Sequence, residues 1–276
     1  MQLSQNKIAV IGMGYVGAAM ATVIANAKRN KKKSYKVLGI EANNVVGKKI
    51  SKLINLGKLP FEINDKSFIK SLSNSVKIKK NLTCSTEIKN IEDAEIVIVS
   101  INCDLKKNKN KDVDLESFIK SIKKILLHIN EKALLIIEST IPPGTCEKKI
   151  IPLMRKIFKK RNLNIKNLLL AYTYERVMPG ANYLNSIKNY WRVFSGYNDK
   201  SKKKFEVFLK NIINTKQYPL TKLDTISSCE LGKILENSFR ATNIAFIEEW
   251  ARFAEKMKID LYKVIESIRL RPTHNN

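Results

Sequence analysis

Near its start the chain reads KIAVIGMGYVG over residues 7–17, an apolar strand-like run followed by glycines at 12, 14 and 17 in the spacing G-x-G-x-x-G. No other stretch constrains the fold as strongly. A strand must stop, turn sharply and feed a helix whose first turn lies against the strand's end. In such a turn Gly12 supplies the tight bend, Gly14 lets the backbone approach a pyrophosphate, and Gly17 lets helix and strand come close. The helix start adds free N–H groups and the positive end of its dipole. A second apolar run, 35–40, ends at Glu41. A carboxylate there accepts hydrogen bonds from adenosine ribose hydroxyls and repels a 2′-phosphate, so the pattern points to NAD and away from NADP.

Strand-like runs recur at 7–11, 35–40, 82–84, 95–101, 134–138, 168–172 and 192–195. Helix-patterned stretches alternate with them at 15–29, 43–55, 114–129, 145–160 and 199–214. Runs such as Ile96-Val97-Ile98-Val99 are apolar at every position, as a strand covered on both faces requires. The expected fold class is α/β, a Rossmann-like parallel sheet with helices on both faces. Past residue 221 the pattern changes. Leu231, Leu235, Phe239, Thr242, Phe246, Trp250, Phe253 and Met257 recur at steps of three or four, predicting one helix over 226–257. At 1.5 Å per residue it would be roughly 45–50 Å long, and a shorter helix follows at 260–269. The expected division is a cofactor-binding domain over 1–221 and a helical, dimerising element over 222–276. The polar loop 104–113 reads as mobile, and Lys31-Lys32-Lys33 as a helix-to-strand turn.

Lysine and arginine number 51 against 25 aspartates and glutamates, a formal net charge of +26. The basic residues are dispersed and no aromatic platform for bases interleaves them, so the charge reads as a solvated, lysine-rich surface and no nucleic-acid partner is expected. No apolar run approaches the roughly 18 residues that span a bilayer, and no secretory pattern precedes the first strand. Cys84, Cys103, Cys146 and Cys229 form no CxxC pair and the histidines are His128 and His274, which argues against a zinc site or a disulfide framework. Reduced thiols in the cytoplasm are the expectation. Lys233 and Asn237 stand four apart on one helix face, about 200° from Leu231 at 100° per residue. An ammonium and an amide so placed can hold a hydroxyl and a developing oxyanion; the same pair also suits a solvated helix face.

The remaining motifs carry a family resemblance. GMGYVG at 12–17, LINLGKLPFE at 53–62, VDLESFIKSIKKI at 113–125, ESTIPPGT at 138–145, YERVMPG at 174–180, NYWRVFSG at 189–196 and ELGKILENSFRATNIAFIEE at 230–249 occur in that order. Together they resemble the UDP-glucose/GDP-mannose dehydrogenase family of nucleotide-sugar 6-dehydrogenases. The resemblance implies that Tyr15 and Val16 belong to the cofactor loop. It implies that Thr140, beside the cofactor, orients a water near the reacting carbon. Glu175 sits by that water as a base when an acyl intermediate is hydrolysed, and Lys233 and Asn237 hold the substrate's C6 oxygen as it gains charge. The residue types suit these roles. The implied reaction is NAD-dependent oxidation of a UDP-sugar at C6 to the uronic acid, for surface polysaccharide synthesis. A homodimer through helix 226–257 is implied as well.

The chain departs from the family pattern in places. After the fourth strand a V-x-T-P type sequence is replaced by Ser100-Ile101-Asn102-Cys103, leaving Asn102 as the cofactor contact. The glucose-specific segment P-E-F-L-x-E-G has Pro179 in place of its second acid, and ERVMPG is more similar to the branch acting on UDP-N-acetylhexosamines. The family's nucleophilic cysteine, in a glycine-rich loop, has no counterpart among the four cysteines; RLRPTHNN resembles the lead-in to that loop. Cys229 shares a face with Lys233 and reads as a packed helix residue. The chain thus reads as the N-terminal part of such an enzyme, incomplete for catalysis without the cysteine loop and a second nucleotide-binding domain. Two other readings fit parts of it. One is a complete β-hydroxyacid dehydrogenase, which resembles this chain in a similar Lys-x-x-x-Asn pair. The other is a non-catalytic NAD-binding, dimerising module.

Overall fold

In the computed structural model the apolar runs form the strands β1 (Lys7–Ile11), β4 (Lys36–Ile40), β5 (Leu82–Ser85), β6 (Ile96–Val99), β7 (Leu134–Ile137), β8 (Leu169–Tyr174), β9 (Val193–Gly196) and β10 (Thr221–Lys222). A hairpin of β2 (Lys28–Arg29) and β3 (Lys33–Ser34) stands apart. The helices are α1 (Tyr15–Asn26), α2 (Val45–Asn55), α3 (Lys66–Ser73), α4 (Leu115–Leu126), α5 (Ile151–Lys160), α6 (Tyr183–Lys188), α7 (Asp199–Ile212), α8 (Ile226–Lys256) and α9 (Leu261–Arg269). The structure describes residues 6–29, 33–106, 112–177 and 180–271. Lys31, Lys32, residues 107–111 of the polar loop, Pro179 and the 272–276 end lie outside them.

The eight-stranded sheet has the order β10-β9-β8-β7-β6-β1-β4-β5. From β1 the chain winds outward to β4 and β5, then returns to place β6 on the other side of β1. The carboxyl ends of β1 and β6 therefore border the crevice where such sheets bind ligands. Alternate residues of each strand serve opposite faces. Ile8, Val10, Ile96, Ile98, Leu134 and Ile136 join Phe68 of α3 and Phe205 and Phe208 of α7. Ala9, Ile11, Val97, Val99, Leu135 and Ile137 join Phe118 and Ile122 of α4 and Met154 and Phe158 of α5. Side-chain caps start several helices: Asn44 accepts from Gly47 N–H, Asp65 from Phe68 N–H, Asp114 from Ser117 N–H and Asn198 from Ser201 N–H.

Three expectations need correction. The sheet is not parallel throughout: β9 runs antiparallel to β8, and β10 follows β9. β8 ends and β9 begins at the same end of the sheet, so β9 runs back down beside it. The first helix stops at Asn26, three residues early, because Lys28–Arg29 pair with Lys33–Ser34; this polar stretch has no apolar face to keep it helical. The helix expected at 145–160 opens with a π turn at Cys146–Ile150 before α5. No helix among the described residues is long and apolar enough to cross a membrane.

The chain divides into two compact bodies, Met1–Leu231 and Gly232–Asn276. The first holds the sheet. The second holds most of α8, a single helix of 31 residues, and α9, which is capped by Asp260.

Candidate active site

The ladder of β1 continues one residue past the strand on each side. Gly12 N–H donates to Ile40 O at 2.8 Å, and Ser100 N–H to Ile11 O at 2.9 Å. The chain then turns with Gly12 at φ +88°. A Cβ at Gly12 would stand 2.9 Å from the Ser100 carbonyl oxygen, and one at Gly17 only 1.8 Å from the Gly12 carbonyl oxygen. A Cβ at Gly14 would meet nothing within 4 Å, so glycine there leaves open space over the loop. α1 begins at Tyr15 without a side-chain cap, so its first-turn N–H groups are left for an anion. The loop thus has the tight turn, the open approach and the donors that a dinucleotide's pyrophosphate requires.

Glu41 follows β4. One carboxylate oxygen accepts the Met13 N–H inside the glycine loop, and the other lies 3.3 Å from the Ala42 N–H. The carboxylate braces the loop, and its remaining lone pairs can accept from further donors. The adjoining cleft, about 380 Å³, is lined by Gly12, Glu41, Asn43, Ile88, Ile101 and Ile125, among others. Apolar walls with one carboxylate suit an adenosine. Tyr15 is half exposed and stacks on Phe61 at 4.0 Å, with Tyr183 edge-on at 6.5 Å. Val16 is half-buried, and Asn102 is exposed in the segment after β6.

Four groups stand in a row at the ends of adjacent strands: Ser100 after β6, Glu138 after β7, Glu175 after β8 and Arg192 before β9. Arg192 reaches over the end of β8 to Glu138 at 2.7 Å, with both side chains at most 3% exposed. Ser100 Oγ donates to the second Glu138 oxygen at 3.0 Å. Burial pushes the Glu138 carboxyl up; Arg192 opposes that rise and Glu175 adds to it. Ser139 Oγ donates to Ile101 O at 2.5 Å, and Tyr172 Oη donates to Ser139 O at 3.1 Å. With Glu138 and Ser139 tied inward, Thr140 is left exposed at the strand end. Glu175 is half-buried and accepts the Val177 N–H at 2.7 Å. Tyr183 is buried and stacks on Phe68 at 6.1 Å; burial, then the nearby Glu175 and Glu138, push its hydroxyl pKa well up.

After the Thr140 turn, buried Glu230 in the first turns of α8 accepts Gly144 N–H at 2.5 Å and Cys146 N–H at 2.9 Å. Burial raises the Glu230 pKa, and these N–H bonds oppose the rise. Lys233 and Asn237 follow on α8, in the second body, one turn apart. The structure therefore gathers the glycine loop, Glu41, Asn102, Thr140 and Glu175 at one end of the sheet, and carries Lys233 and Asn237 on a single helix. Sequence reasoning passed over Glu138, Arg192, Tyr183 and Glu230. The first two had a signal, since each is a charge placed directly at the end of an apolar strand. Among the described residues no group of three potential metal ligands occurs.

Two family models match the chain. The NAD binding domain of the UDP-glucose/GDP-mannose dehydrogenase family covers residues 6–213, and the central domain of the same family covers 227–276. The chain belongs to this family. The UDP-glucose/GDP-mannose dehydrogenase relatives include a UDP-N-acetyl-D-mannosamine dehydrogenase of Methanococcus aeolicus, 30% identical over 98% of this chain and 56% of its own length. A UDP-N-acetyl-D-glucosamine 6-dehydrogenase of Salmonella typhi is 25% identical over 96% of this chain and 56% of its own. Among solved structures, a UDP-D-ManNAc dehydrogenase from Pyrococcus horikoshii superposes with a TM-score of 0.80 at 26% identity, over 96% of this chain and 58% of that one. The chain spans little more than half the length of these dehydrogenases. Family membership sets aside the β-hydroxyacid dehydrogenase reading.

Proposed function

We propose that the chain supplies the cofactor-binding part of an NAD-dependent dehydrogenase that oxidises the C6 hydroxyl of a UDP-N-acetylhexosamine or UDP-glucose to the uronic acid, for surface polysaccharide synthesis. The observation that carries this is the gathering of glycine loop, Glu41, Thr140 and Glu175 at one sheet end in a member of this family. The names of its relatives favour the acetylhexosamines. Residues 1–221 bind the dinucleotide, with Tyr15, Val16 and Asn102 at its edge, and 222–276 dimerise.

NAD, when bound, accepts a hydride. The chain's own groups do the rest of what is asked of this half. Thr140 projects a hydroxyl that both donates and accepts, and so orients a water or the sugar hydroxyl. Glu175 takes a proton. Lys233 and Asn237 supply donors to an oxygen gaining negative charge. Converting an alcohol to an acid removes four electrons as two hydrides and needs a thiolate to carry the acyl group between them. The cysteines described here do not supply one. Burial is the leading cause in each: it pushes Cys84 up to about 11 and Cys229 up to about 12, and raises Cys103 and Cys146 too. We therefore assign the thiolate to a part of the enzyme outside this sequence. We place the enzyme in the cytoplasm, the compartment of NAD and reduced thiols.

Calorimetric titration of the chain with each cofactor is the first test. NAD should bind at least about tenfold tighter than NADP, a difference of ~1.4 kcal/mol. Glu41→Ala should weaken NAD and narrow the gap. Equal or tighter NADP binding overturns the cofactor assignment. The second test is NADH formation from UDP-glucose and UDP-N-acetylhexosamines, with products identified by mass. The chain alone should make no uronic acid; acid formed at ordinary enzyme rates would overturn the assignment of the thiolate elsewhere.

A further inference from the structure

At the amino ends of the strands, opposite the dinucleotide crevice, cations converge on a second hollow. Arg29 of β2 and Lys200, Lys203 and Lys204 of α7 line a cavity of about 350 Å³ whose apolar part comes from Tyr35, Ile96, Val207 and Phe208. Lys200, Lys203, Lys204 and Val207 recur at helical spacing, so one face of α7 turns its charges over the hollow. Beneath them Tyr35 and Phe208 are buried and meet edge-on at 5.8 Å.

The charges are not balanced. Glu95 is the one carboxylate in the lining, and Arg29 engages it at 2.7 Å. Lys204 is held in place by donating to Lys132 O at 2.9 Å. Burial pushes its pKa down, Glu95 opposes this, and Arg29 and Lys200 reinforce it. Among the described residues Lys200 and Lys203 reach no carboxylate. Like charges gathered above an apolar floor repel more strongly than in open water, and a multivalent anion relieves that repulsion. Lys159 and Lys160 of α5 are an exposed pair as well, but they line none of the hollows described here.

We propose that this hollow binds a small phosphorylated ligand with an apolar moiety, a nucleoside diphosphate being the class that fits. Its phosphates lie among Arg29, Lys200 and Lys203, and its nucleoside lies against Val207 and the edges of Tyr35 and Phe208. The volume falls in the range of small-molecule sites, ~300–1,000 Å³. The site is distinct from the dinucleotide crevice and does not depend on the activity proposed above.

The test is calorimetric titration of the chain with ADP and with pyrophosphate, with NAD present to occupy the crevice. ADP should bind one further site per chain, tighter than pyrophosphate, and weaken between about 50 mM and about 500 mM salt as screening shortens the reach of the charges. Lys200→Glu with Lys203→Glu should lower ADP affinity at least about tenfold, while the matched pair Lys159→Glu with Lys160→Glu leaves it within about twofold. Both pairs are exposed, so the unfolding temperature should hardly move. Loss of ADP binding once NAD is present overturns the proposal. So does an equal loss in the two double variants, which would make the effect one of general surface charge. Pyrophosphate binding as tightly as ADP overturns the nucleoside assignment. Should NAD itself fail to bind, its own titration reports that, and the contrast between the two double variants still decides this site.

Discussion

In the body Met1–Leu231, Phe68, Phe118, Phe158, Phe194 and Phe205 are at most 2% exposed; in Gly232–Asn276, Phe239, Phe246 and Phe253 are 54–72% exposed. Tyr262 and Leu270 of the second body are more exposed still, at 83% and 81%. The difference follows from architecture. A sheet sandwiched by helices offers every strand two apolar surfaces, so even residues flanking the crevice, such as Glu138 and Arg192, are drawn into the interior and must find partners there. A long helix with a short one beyond it has one apolar stripe and little of its own to cover it. Large exposed apolar patches on a folded chain mark surfaces that meet a partner. The first body thus carries its stability within itself, and the second carries an unmet demand for surface.

The largest effect expected from breaking this contrast lies inside the first body. Removing one member of a buried ion pair strands the other, at about 3–5 kcal/mol. Arg192→Met should therefore lower the unfolding free energy by that amount, read from urea or thermal melts. Replacing both members, Arg192→Met with Glu138→Met, should recover most of it, since apolar substitutes of similar volume are often neutral there. A single variant costing less than ~1 kcal/mol would mean that water reaches the pair, and that the first body is less closed than its phenylalanines imply.

The legible and illegible parts of the molecule divide along similar physical lines. The glycine loop was readable because its demands are local: bend, approach and packing fall on Gly12, Gly14 and Gly17, all within six residues. The strands were readable because burial on both faces leaves continuous apolar runs. α3 and α6 were not, because eight and six residues give the helical period too little room to repeat. The direction of β9 is set by where the 175–192 connection ends in space. Glu138 and Arg192 lie 54 positions apart, so no spacing rule joins them. The bracing of the glycine loop by Glu41 escaped notice for another reason: one carboxylate serves two kinds of donor, and the sequence reading considered only the ribose.

Next in size is an effect on the second body alone. Under the proposed dimerisation through α8, Phe239→Asp with Phe253→Asp places carboxylates on its exposed stripe. Self-association measured by sedimentation should weaken at least about tenfold, ~1.4 kcal/mol or more. The cooperative unfolding of the first body should stay where it was, since neither residue belongs to its core. A parent chain that sediments as a folded monomer at about 100 μM, a concentration at which even weak interfaces fill, would remove the dimer and leave the exposed stripe to another partner.

The smallest expected effect returns to the first body and to acid. Asp65 is buried and ties together two helices the sequence did not announce. One oxygen accepts Phe68 N–H at 2.9 Å and the Ser67 hydroxyl at 2.6 Å, and the other accepts Leu184 N–H at 2.9 Å. That tie holds α3 against α6, and with them the Phe68–Tyr183 stack beside the crevice. Burial alone would raise the Asp65 pKa, but the Ser67 hydroxyl and the Leu184 and Phe68 N–H bonds outweigh it and hold the carboxyl below its ordinary 3.8. A lowered folded value has a definite sign. The stabilisation is fully present above the ordinary value and is lost as pH falls through the folded one. Unfolding temperature should therefore be insensitive to Asp65 from neutral pH down to about 5 and decline below about 4. Asp65→Asn, which keeps one acceptor, turns an NH2 group toward the remaining donor and loses the charge, should cost at least about 1 kcal/mol at neutral pH, and should flatten the acid decline. If the variant declines in acid as steeply as the parent, the acid sensitivity of this body belongs to other carboxylates, and Asp65 is a cap whose charge contributes nothing.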